Sequence, residues 1–369
     1  MQKNSNLKIA IDARELKKNI LTGTARFLKN LLDNIEADKN IFLCVDKKTA
    51  INNYNEKFSI LEASGILTAW YDQITLKNFL KNYKIDIFFS PYYKMPFFAS
   101  TKRIITIHDL YFLKPMLRKG LDRFKPFVFY LKKALNLANK IITVSQYSKE
   151  EIIRTFDIEE NKVKVIYNCV GKIFKKIDHI NQEYFFKKYR IEQPYILYVG
   201  NFYPHKNIKG LLEAFFIFLK KFSTSYKLVV IAKKNRFFGD IFEYAKEIKV
   251  FDSIIFLDFV NDEDLVYFYN FAEFFILPSF YEGFGLTTLE AIACGNVATV
   301  SNIKSLREIF ADAVIYFNPY DAKDIFEKMV VLIKDDKLKA NLKEKSINLL
   351  EKFSAENFSS KLLEEIKNV

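Results

Sequence analysis

The chain has 369 residues, half of them hydrophobic, and a formal net charge of +13. This length exceeds that of one ordinary domain and fits two, each with a full apolar core. The basic excess favours an anionic partner such as a diphosphate or an anionic lipid surface. There is no zinc-finger spacing, RNA-recognition signature or lysine-rich tail, so we expect no nucleic-acid partner.

The cysteines and the first residues bear on the compartment. Cys44, Cys169 and Cys294 are far apart and odd in number, so we expect small buried side chains in a reducing compartment, with neither a disulfide nor a metal site. Met1 leads into a strand-like segment without the layout of a signal peptide, and no apolar run reaches the length of about 18 residues that suggests a membrane span. These features predict a cytoplasmic protein.

Short apolar segments alternate with longer helical patterns along the whole chain. The first series of predicted strands is Leu7–Asp12, Ile41–Val45, Ile85–Ser90, Ile104–His108, Ile141–Ser145 and Val163–Tyr167. The second is Tyr195–Gly200, Leu228–Ala232, Ile254–Leu257, Phe274–Pro278, Val297–Val300 and Val314–Phe317. Continuous apolar strands indicate parallel sheets buried on both faces, and their alternation with helices indicates βαβ units. The sequence therefore predicts an α/β protein with two Rossmann-like, doubly wound parallel-sheet domains.

Composition shifts give the expected domain boundaries. Residues 1–170 form the predicted N-terminal domain, and the polar, basic stretch 171–193 is the predicted linker, which includes His179. Residues 194–350 form the predicted C-terminal domain. The charged, helical segment 351–369 is expected to pack back on the N-terminal domain.

The most informative segment follows the predicted strand Phe274–Pro278. Gly283 and Gly285 let the backbone approach a ligand closely, and the helix that begins near Thr287 presents free amides to a phosphate. Glu282 precedes this turn and Glu290 lies within the helix. Carboxylates beside a phosphate site suit the hydroxyl groups of a sugar. The alternative is an ordinary helix start with its acidic residues in solvent.

Glu282 and Glu290 around Gly-Phe-Gly-Leu resemble the two-glutamate motif of the retaining family 4 glycosyltransferases. The resemblance implies the GT-B fold, in which two Rossmann-like domains face a central cleft and the C-terminal domain holds the nucleotide-sugar donor. It implies that Glu282 binds hydroxyls of the donor sugar and takes part in catalysis, and that Glu290 binds the nucleotide ribose. The implied donor loop comprises Gly283, Phe284, Gly285, Leu286 and Thr287, with the diphosphate on the amides that follow the second glycine.

The turn from Gly200 to Asn207 resembles the family's glycine turn. The resemblance implies that Gly200, His205 and Lys206 bind the donor and that Lys206 neutralises the departing diphosphate. Relatives often have an arginine where this chain has Asn201 or His205, and the loss of such a charge-assisted contact forfeits about 1.5–3 kcal/mol. The alternative is a surface turn whose Asn207 caps a helix.

In the N-terminal domain, His108 and Asp109 follow a buried strand. They resemble the family's active-site region, which implies a catalytic His108 in contact with the donor sugar and an Asp109 on the acceptor side. A structural histidine is the alternative. The stretch that contains Gly23 and Arg26 resembles the glycine loop of the first domain, which implies that Gly23 faces the donor phosphates and Arg26 the acceptor. Ala25 stands where many relatives have a second glycine.

Shorter matches resemble the mannosyltransferase-like branch of the family: Ala69–Gln73, Phe89–Tyr92, Thr143–Ser148 and Val165–Asn168. They favour GDP-mannose as the donor, with UDP-linked sugars next. The acidic stretch Asn261–Asp264 could suggest a metal site, but a polar cap followed by acidic residues in a first helical turn explains it better. The resemblance implies that neither a metal nor another cofactor is required.

The stretch from Arg123 to Asn139 patterns as an amphipathic helix. Its apolar residues recur at helical spacing toward the core, whereas Phe129 falls on the opposite side with Lys125, Lys132 and Lys133, and Arg118 and Lys119 precede it. An exposed aromatic among lysines suits an anionic lipid surface, which would make the enzyme peripheral at the inner face of the cell membrane with a lipid-linked acceptor. An ordinary solvated face is the alternative.

These observations favour a retaining hexosyltransferase, with mannose preferred, that acts in cell-envelope polysaccharide or glycan synthesis. The expected partners are a nucleoside diphosphate sugar and a saccharide or lipid-linked saccharide acceptor. A GT-B sugar-nucleotide epimerase and a non-catalytic sugar-nucleotide-binding protein stay open as alternatives. Incubation with donor alone separates the epimerase from the transferase.

Overall fold

The computed structural model describes residues 7–17, 22–51, 53–62, 71–113, 125–177, 182–191, 194–222 and 225–369. The chain divides into two compact units. Unit 1 comprises Met1–Cys169 together with Ser354–Val369, and unit 2 comprises Val170–Phe353. Of the sequence predictions, His179 and the residues Ala69, Arg118, Lys119 and Arg123 lie outside the described ranges.

The core of unit 1 is a seven-stranded sheet in the order β3-β2-β1-β4-β5-β6-β7. Its strands are β1 Ile9–Asp12, β2 Ile41–Val45, β3 Ser59–Glu62, β4 Ile87–Ser90, β5 Lys102–Ile107, β6 Lys140–Thr143 and β7 Val163–Val165. All neighbouring strands pair in parallel, with Ile9 opposite both Ile41 and Ile87. The strand order reverses between β1 and β4. In such sheets, ligands bind beyond the carboxyl ends of the strands at this reversal.

Helices cover the sheet of unit 1 in the described part of the chain. They include α1 Gly23–Asn34, α2 Leu76–Asn82, α3 Lys125–Leu137 and α4 Gln146–Phe156. The start of α1 is fixed by Thr22, whose hydroxyl oxygen accepts a hydrogen bond from the Ala25 amide at 3.1 Å. The inner face of α1 buries Phe27, Leu28 and Leu31 completely.

Unit 2 has a six-stranded sheet in the order β10-β9-β8-β11-β12-β13. Its strands are β8 Tyr195–Asn201, β9 Lys227–Lys233, β10 Ile254–Leu257, β11 Phe274–Leu277, β12 Ala298–Ser301 and β13 Ile315–Phe317. These strands also pair in parallel. The order reverses between β8 and β11, so the segments after these two strands occupy the position where such sheets bind ligands.

The helices of unit 2 begin within the segment that the sequence assigns to a linker. They are α5 Gln182–Tyr189, α6 Ile208–Lys221, α7 Phe238–Glu247, α8 Asp262–Phe271, α9 Leu286–Ala293, α10 Lys304–Phe310, α11 Ala322–Lys334 and α12 Asp336–Lys352. Phe185 of α5 packs edge-to-face on Phe268 of α8, with ring centroids 4.8 Å apart. This part of the predicted linker therefore contributes to the core of unit 2.

The last helix, α13 Ala355–Lys367, belongs to unit 1. Phe358 of α13 meets Phe27 of α1 edge-to-face at a centroid distance of 4.9 Å. The Lys140 ammonium bonds to the backbone carbonyl and the carboxylate of Glu365, each at 2.6 Å. An apolar contact and an ion pair thus hold the C-terminal segment on unit 1.

The structure confirms the predicted fold class, two doubly wound parallel-sheet domains. Each of the twelve predicted strands agrees with an observed one to within two residues at each end, whereas β3 was not predicted. The three cysteines are buried free thiols, as expected. Among the described helices, none combines the length and the apolar character needed to cross a bilayer.

The helix α3 has the two faces that the sequence predicts. Leu131 and Leu135 are fully buried, while Phe129 is 70% exposed. Lys132 is exposed, but Lys133 is half-buried and its ammonium lies over the rings of Phe97 and Phe98 at 5.1 and 5.2 Å. Phe98 is itself 66% exposed, so unit 1 presents two exposed phenylalanines beside lysines.

Candidate active site

The two charged residues predicted to act on the donor meet directly in unit 2. Lys206 ends the short turn Pro204–Lys206 after β8, and Glu282 follows β11, the neighbouring strand. The Lys206 ammonium lies 2.5 Å from Glu282 Oε1, and the side chains are 14% and 11% exposed. The Ser279 hydroxyl donates to the same oxygen at 2.7 Å. The fold therefore brings together a cation and a carboxylate that are 76 residues apart in the chain.

Backbone hydrogen bonds hold the two loops in place. The Phe280 amide donates to the carbonyl of His205 at 2.7 Å, which ties the loop after β11 to the turn after β8. The Ser305 hydroxyl donates to the carbonyl of Glu282 at 2.7 Å, which anchors this residue to α10. These hydrogen bonds therefore fix the backbone on both sides of the ion pair.

The helix α9 begins beside this ion pair. Gly285 is its N-cap, with φ +87°, and no side chain caps the helix there. A Cβ atom at Gly285 would lie 2.7 Å from Leu306 Cδ2 and 3.0 Å from Phe310 Cε2, so only glycine fits. The amides of Leu286 and Thr287 in the first turn have no partner within the helix ladder, and amides of this kind bind phosphate well.

Two other residues of the predicted donor-binding set, Glu290 and Phe284, are buried. Glu290 is 1% exposed, and its Oε2 accepts a hydrogen bond from the Tyr269 hydroxyl at 2.8 Å. Phe284 is 5% exposed and packs edge-to-face on Phe353 at 5.5 Å. The Phe284 side chain is therefore part of the core, which leaves its backbone for ligand contact. The carboxylate assigned to the ribose lies beneath the surface in this state.

The turn after β8 lacks a second cation. Asn201 Oδ1 accepts a hydrogen bond from the Tyr203 amide at 3.0 Å. Burial, with a smaller contribution from the neighbouring Lys206 charge, lowers the pKa of His205 from 6.5 to about 3, so this imidazole is neutral near pH 7. Neither residue therefore carries a positive charge near pH 7. Among the described residues of this turn, Lys206 is the one that carries a positive charge.

Two smaller features complete this turn. At Gly200, a Cβ atom would come within 2.4 Å of the Tyr198 hydroxyl oxygen. Asn207 adopts φ +53°, makes no side-chain cap, and donates through Nδ2 to the Pro319 carbonyl at 2.7 Å. Asn207 is the N-cap residue of α6, as the surface-turn alternative expects, but its side chain does not make the capping hydrogen bond. The side chain instead ties the turn to the segment after β13.

In unit 1, His108 follows β5 and is half-buried. Its Nε2 lies 2.9 Å from the carbonyl oxygen of Pro91, and its ring meets Phe27 edge-to-face at 5.1 Å. Burial lowers the pKa of His108 to about 4, against the opposing effect of the Pro91 hydrogen bond. The imidazole is therefore neutral near pH 7. Because a carbonyl oxygen can only accept, Nε2 carries the hydrogen and Nδ1 offers a lone pair.

The other predicted residues of unit 1 lie in loops and at a helix start. Asp109 Oδ1 accepts a hydrogen bond from the Tyr111 amide at 2.9 Å. Gly23 is exposed in the first turn of α1, and a Cβ atom there would meet nothing within 4 Å. Arg26 lies one turn further along and is half-buried. Packing within unit 1 therefore does not explain a glycine at position 23.

A charged cluster at the end of β1 was not singled out from the sequence. The Arg14 guanidinium bonds to Asp12 Oδ2 at 2.5 Å and to Asp72 Oδ1 at 2.6 Å, and all three residues are buried. Burial raises the pKa of Asp72, which Arg14 partly offsets. A small cavity of about 60 Å³ opens beside the cluster, and its further lining includes Ser90, Tyr92 and Lys94. In the sequence, the position of Asp12 at the end of a predicted central strand could have indicated this cluster.

The acidic stretch after β10 is a helix start, as predicted. Asn261 Oδ1 accepts a hydrogen bond from the Asp264 amide at 2.8 Å and so caps α8. Asp264 itself pairs with Lys188 at 2.7 Å. Within the described ranges, no group of three or more His, Cys, Asp or Glu side chains is arranged to hold a metal ion.

Two family models match the chain, one in each half. Residues 181–349 match "Glycosyl transferases group 1" and residues 53–171 match "Glycosyltransferase Family 4". Among solved structures, HepE of Anabaena in complex with UDP and glucose superposes with a TM-score of 0.78 at 14% sequence identity, over 98% of this chain and all of that one. This likeness supports the fold.

Among characterised proteins, O-antigen chain mannosyltransferase B of Escherichia coli is 29% identical over 294 residues, which cover 78% of this chain and 76% of the relative. The serotype-specific mannosyltransferase WbdA of Escherichia coli is 31% identical over 264 residues, 69% of this chain. That match spans 32% of WbdA, so the chain corresponds to about a third of this longer relative. With both family models matched in order and a GT-B-type structure, the chain is a glycosyltransferase and belongs to glycosyltransferase family 4.

Proposed function

We propose that this enzyme transfers a hexosyl group, with mannose favoured, from a nucleoside diphosphate sugar to a saccharide or lipid-linked saccharide. The observation that carries the proposal is the Lys206–Glu282 ion pair beside the uncapped start of α9. Mannose and cell-envelope polysaccharide synthesis are favoured because relatives at about 30% identity are mannosyltransferases named for the O-antigen chain or for serotype specificity.

When unit 2 binds the donor, the Lys206–Glu282 ion pair would be replaced by a contact between Lys206 and the diphosphate. The diphosphate attracts the Lys206 ammonium and the amides of Leu286 and Thr287. Once Lys206 turns to the phosphate, the carboxylate of Glu282 can accept hydrogen bonds from the sugar hydroxyls. Its backbone stays fixed by Ser305 during this exchange. The ion pair therefore holds both side chains near their donor-binding positions until the donor replaces it.

In the transfer step, the bond between the anomeric carbon and the diphosphate oxygen breaks as the acceptor oxygen bonds to the same carbon. Negative charge develops on the leaving diphosphate, where Lys206 and the helix amides stabilise it. We propose a front-face route in which a donor phosphate oxygen takes the proton of the acceptor hydroxyl, so the configuration at the anomeric carbon is retained. No protein nucleophile and no metal ion are needed on this route, because the lysine and the amides hold the phosphate charge.

Unit 1 would supply the residues that orient sugar hydroxyls. His108 is neutral, and its Nδ1 lone pair can accept a hydrogen bond from a hydroxyl of the donor sugar. We propose that Asp109 and Arg26 face the acceptor. The exposed Gly23 would face the donor phosphates. The exposed Phe98 and Phe129 with Lys132 form the proposed contact with an anionic membrane, which suits a lipid-linked acceptor.

The proposal is tested first by thermal unfolding of the purified chain with GDP, UDP, GDP-mannose and UDP-linked hexoses. A ligand that binds the native state raises the unfolding temperature in proportion to its affinity and concentration. The donor that stabilises most is then incubated with oligosaccharide acceptors, with and without EDTA, and the anomeric configuration of the product is read by NMR. We expect a GDP-sugar to stabilise most and an α-linked product from an α-linked donor in the presence of EDTA. Stabilisation by none of these nucleotides, or an inverted product, contradicts the proposal.

A further inference from the structure

We propose that unit 2 carries a second saccharide-binding site, a cavity rimmed by Tyr203, Phe237, Phe280 and Tyr320 that takes a neutral glycan. The cavity has a volume of about 570 Å³, within the range of about 300–1,000 Å³ that small-molecule sites occupy. It opens among the segments after β8, β11 and β13 and the first turns of α6 and α7. Lys206, Glu282 and Gly285 are not part of its lining, so it is separate from the donor residues.

The rim presents aromatic rings to solvent. Tyr320 is 78% exposed and stacks on Phe280 with ring centroids 4.7 Å apart and planes inclined by 20°. Tyr203 is 45% exposed and meets Phe237 edge-to-face at 5.6 Å. These contacts hold the rings in place, and Tyr320 and Tyr203 stay exposed, whereas the Arg236 guanidinium covers one face of Phe237 at 4.7 Å. Fixed, exposed ring faces with a hydroxyl at one end suit a ligand that is apolar on one side and polar on the other, as the ring of a sugar is.

The charged groups around the cavity balance one another, which suits a neutral ligand. Glu213 and Asp240 contribute two carboxylates to the lining and Lys209 one ammonium, and the Arg236 guanidinium lies 4.7 Å from the ring centre of Phe237. The charges around this cavity therefore balance, although the chain has a net charge of +13. The Tyr244 hydroxyl donates to Glu213 Oε1 at 2.5 Å, and the Lys209 ammonium lies 4.9 Å from the centre of the Tyr244 ring. Carboxylates at a rim accept hydrogen bonds from hydroxyls.

The cavity borders the turn that carries Lys206. Its lining includes Asn207, whose side chain donates to the Pro319 carbonyl at 2.7 Å, and Phe280, whose amide donates to the His205 carbonyl at 2.7 Å. A glycan bound here would therefore contact Asn207 and Phe280, which lie beside the turn that carries Lys206. It would not occupy the position proposed for the donor. Such a site would hold a growing polysaccharide on the enzyme between successive transfers. The choice of a glycan as the occupant rests on the proposed function.

The site is tested with neutral oligosaccharides of two to five mannose, glucose or galactose residues, added to the full chain with saturating GDP. Saturation-transfer NMR reports which sugars bind, and a titration gives the dissociation constant. We expect saturable binding of at least one series. Tyr320→Ala should weaken it about 2–10-fold, since an aromatic contact contributes about 0.5–1.5 kcal/mol, and Asp240→Asn should also weaken it. Tyr83→Ala, which removes a 45%-exposed tyrosine from unit 1, is the matched control and should change nothing.

The same samples distinguish a failure of the second-site proposal from a failure of the transferase proposal. The proposal is overturned if protein that still gains thermal stability from GDP binds no oligosaccharide, or if Tyr320→Ala and Asp240→Asn both bind as tightly as the wild type. Binding of a quaternary ammonium probe at Tyr320 in place of any sugar also overturns it. A chain that binds oligosaccharides through Tyr320 but neither binds nucleotides nor transfers sugar would refute the transferase proposal and leave this site standing.

Discussion

Lys206 and Glu282 neutralise each other in unit 2, with 2.5 Å between the ammonium nitrogen and a carboxylate oxygen. The sequence assigns the lysine to the donor diphosphate and the glutamate to the donor sugar. Because they pair, each charged group has an oppositely charged partner at the carboxyl ends of β8 and β11. Because each is nearly buried, either one alone would be a costly unpaired charge.

The first prediction concerns the energy of this pair. Lys206→Ala and Glu282→Ala should each lower the free energy of unfolding by about 3 kcal/mol, because each leaves a mostly buried charge without its partner. The double variant should lose less than the sum, with a coupling of about 1–3 kcal/mol. Urea unfolding of the four proteins measures it. The control cycle uses Lys246 and Glu243, an exposed pair 3.2 Å apart, and should give a coupling close to zero. Equal couplings in the two cycles would contradict the account.

A second prediction separates two glycines of the donor-binding set. Gly285→Ala should destabilise unit 2 by about 1–3 kcal/mol or more, since φ is +87° and the new methyl group would press on Leu306 and Phe310. Gly23→Ala meets open space in the first turn of α1 and should be neutral or stabilising by about 0.5–1 kcal/mol.

Transfer activity then reports the role of Gly23 separately from folding. If a phosphate approaches this backbone closely, Gly23→Ala lowers the transfer rate of a fully folded enzyme. A Gly23→Ala variant that unfolds more easily than the wild type, or a Gly285→Ala variant as stable as the wild type, would count against the structural reasoning. Unfolding in urea and initial rates of transfer are measured on the same preparations.

A third prediction concerns pH. The pKa of His108 is lowered from 6.5 to about 4 in the folded chain, so the unfolded chain binds more protons between these values. Stability should therefore rise with pH from about 4 to about 6.5 and be lost as the pH falls through this window. His108→Gln should reduce that slope by up to one proton, measured as unfolding free energy against pH.

His205 shifts in the same direction and is common to both proteins, so the difference between them reports His108. Transfer by the wild type should show no titration of this imidazole near pH 6.5. Unchanged slopes in wild type and variant would mean that His108 titrates normally and is open to solvent.

A fourth prediction tests the membrane contact of unit 1. Phe129→Ser with Lys132→Ser should reduce co-sedimentation with vesicles rich in phosphatidylglycerol, because it removes an exposed aromatic and a charge from the same helix. The control is Ile347→Ser with Lys343→Ser, a matching apolar and basic pair on α12 with a 58%-exposed isoleucine. Equal vesicle binding by both double variants would show that α3 is an ordinary solvated surface.

Hydrophobic patterning was enough to predict the two sheets, because their central strands are continuous buried runs such as Phe274–Leu277. The strand β3 escaped prediction for a physical reason. Ser59–Glu62 is a short edge strand with a single buried residue, Leu61, so it has no continuous apolar run. Edge strands depend on their neighbour, here β2, more than on their own composition.

The motifs single out the residues proposed to bind the donor, but they do not predict the side-chain partners of those residues. The pairing of Lys206 with Glu282 spans 76 residues, and the burial of Glu290 under Tyr269 depends on how α8 meets α9. The Asp12–Arg14–Asp72 cluster likewise forms only once β1 and the segment near Asp72 come together. Side-chain partners that are distant in the chain follow from packing, which local spacing does not encode.

The most direct test of the transferase account is the initial rate of sugar transfer by Glu282→Ala beside Glu263→Ala, an exposed glutamate at the start of α8. Circular dichroism confirms first that both variants are folded at the assay temperature. The account predicts that Glu282→Ala loses about a hundredfold or more in rate, as when a group that stabilises the transition state is removed, while Glu263→Ala matches the wild type. Transfer by folded Glu282→Ala within a few-fold of the wild type would contradict it.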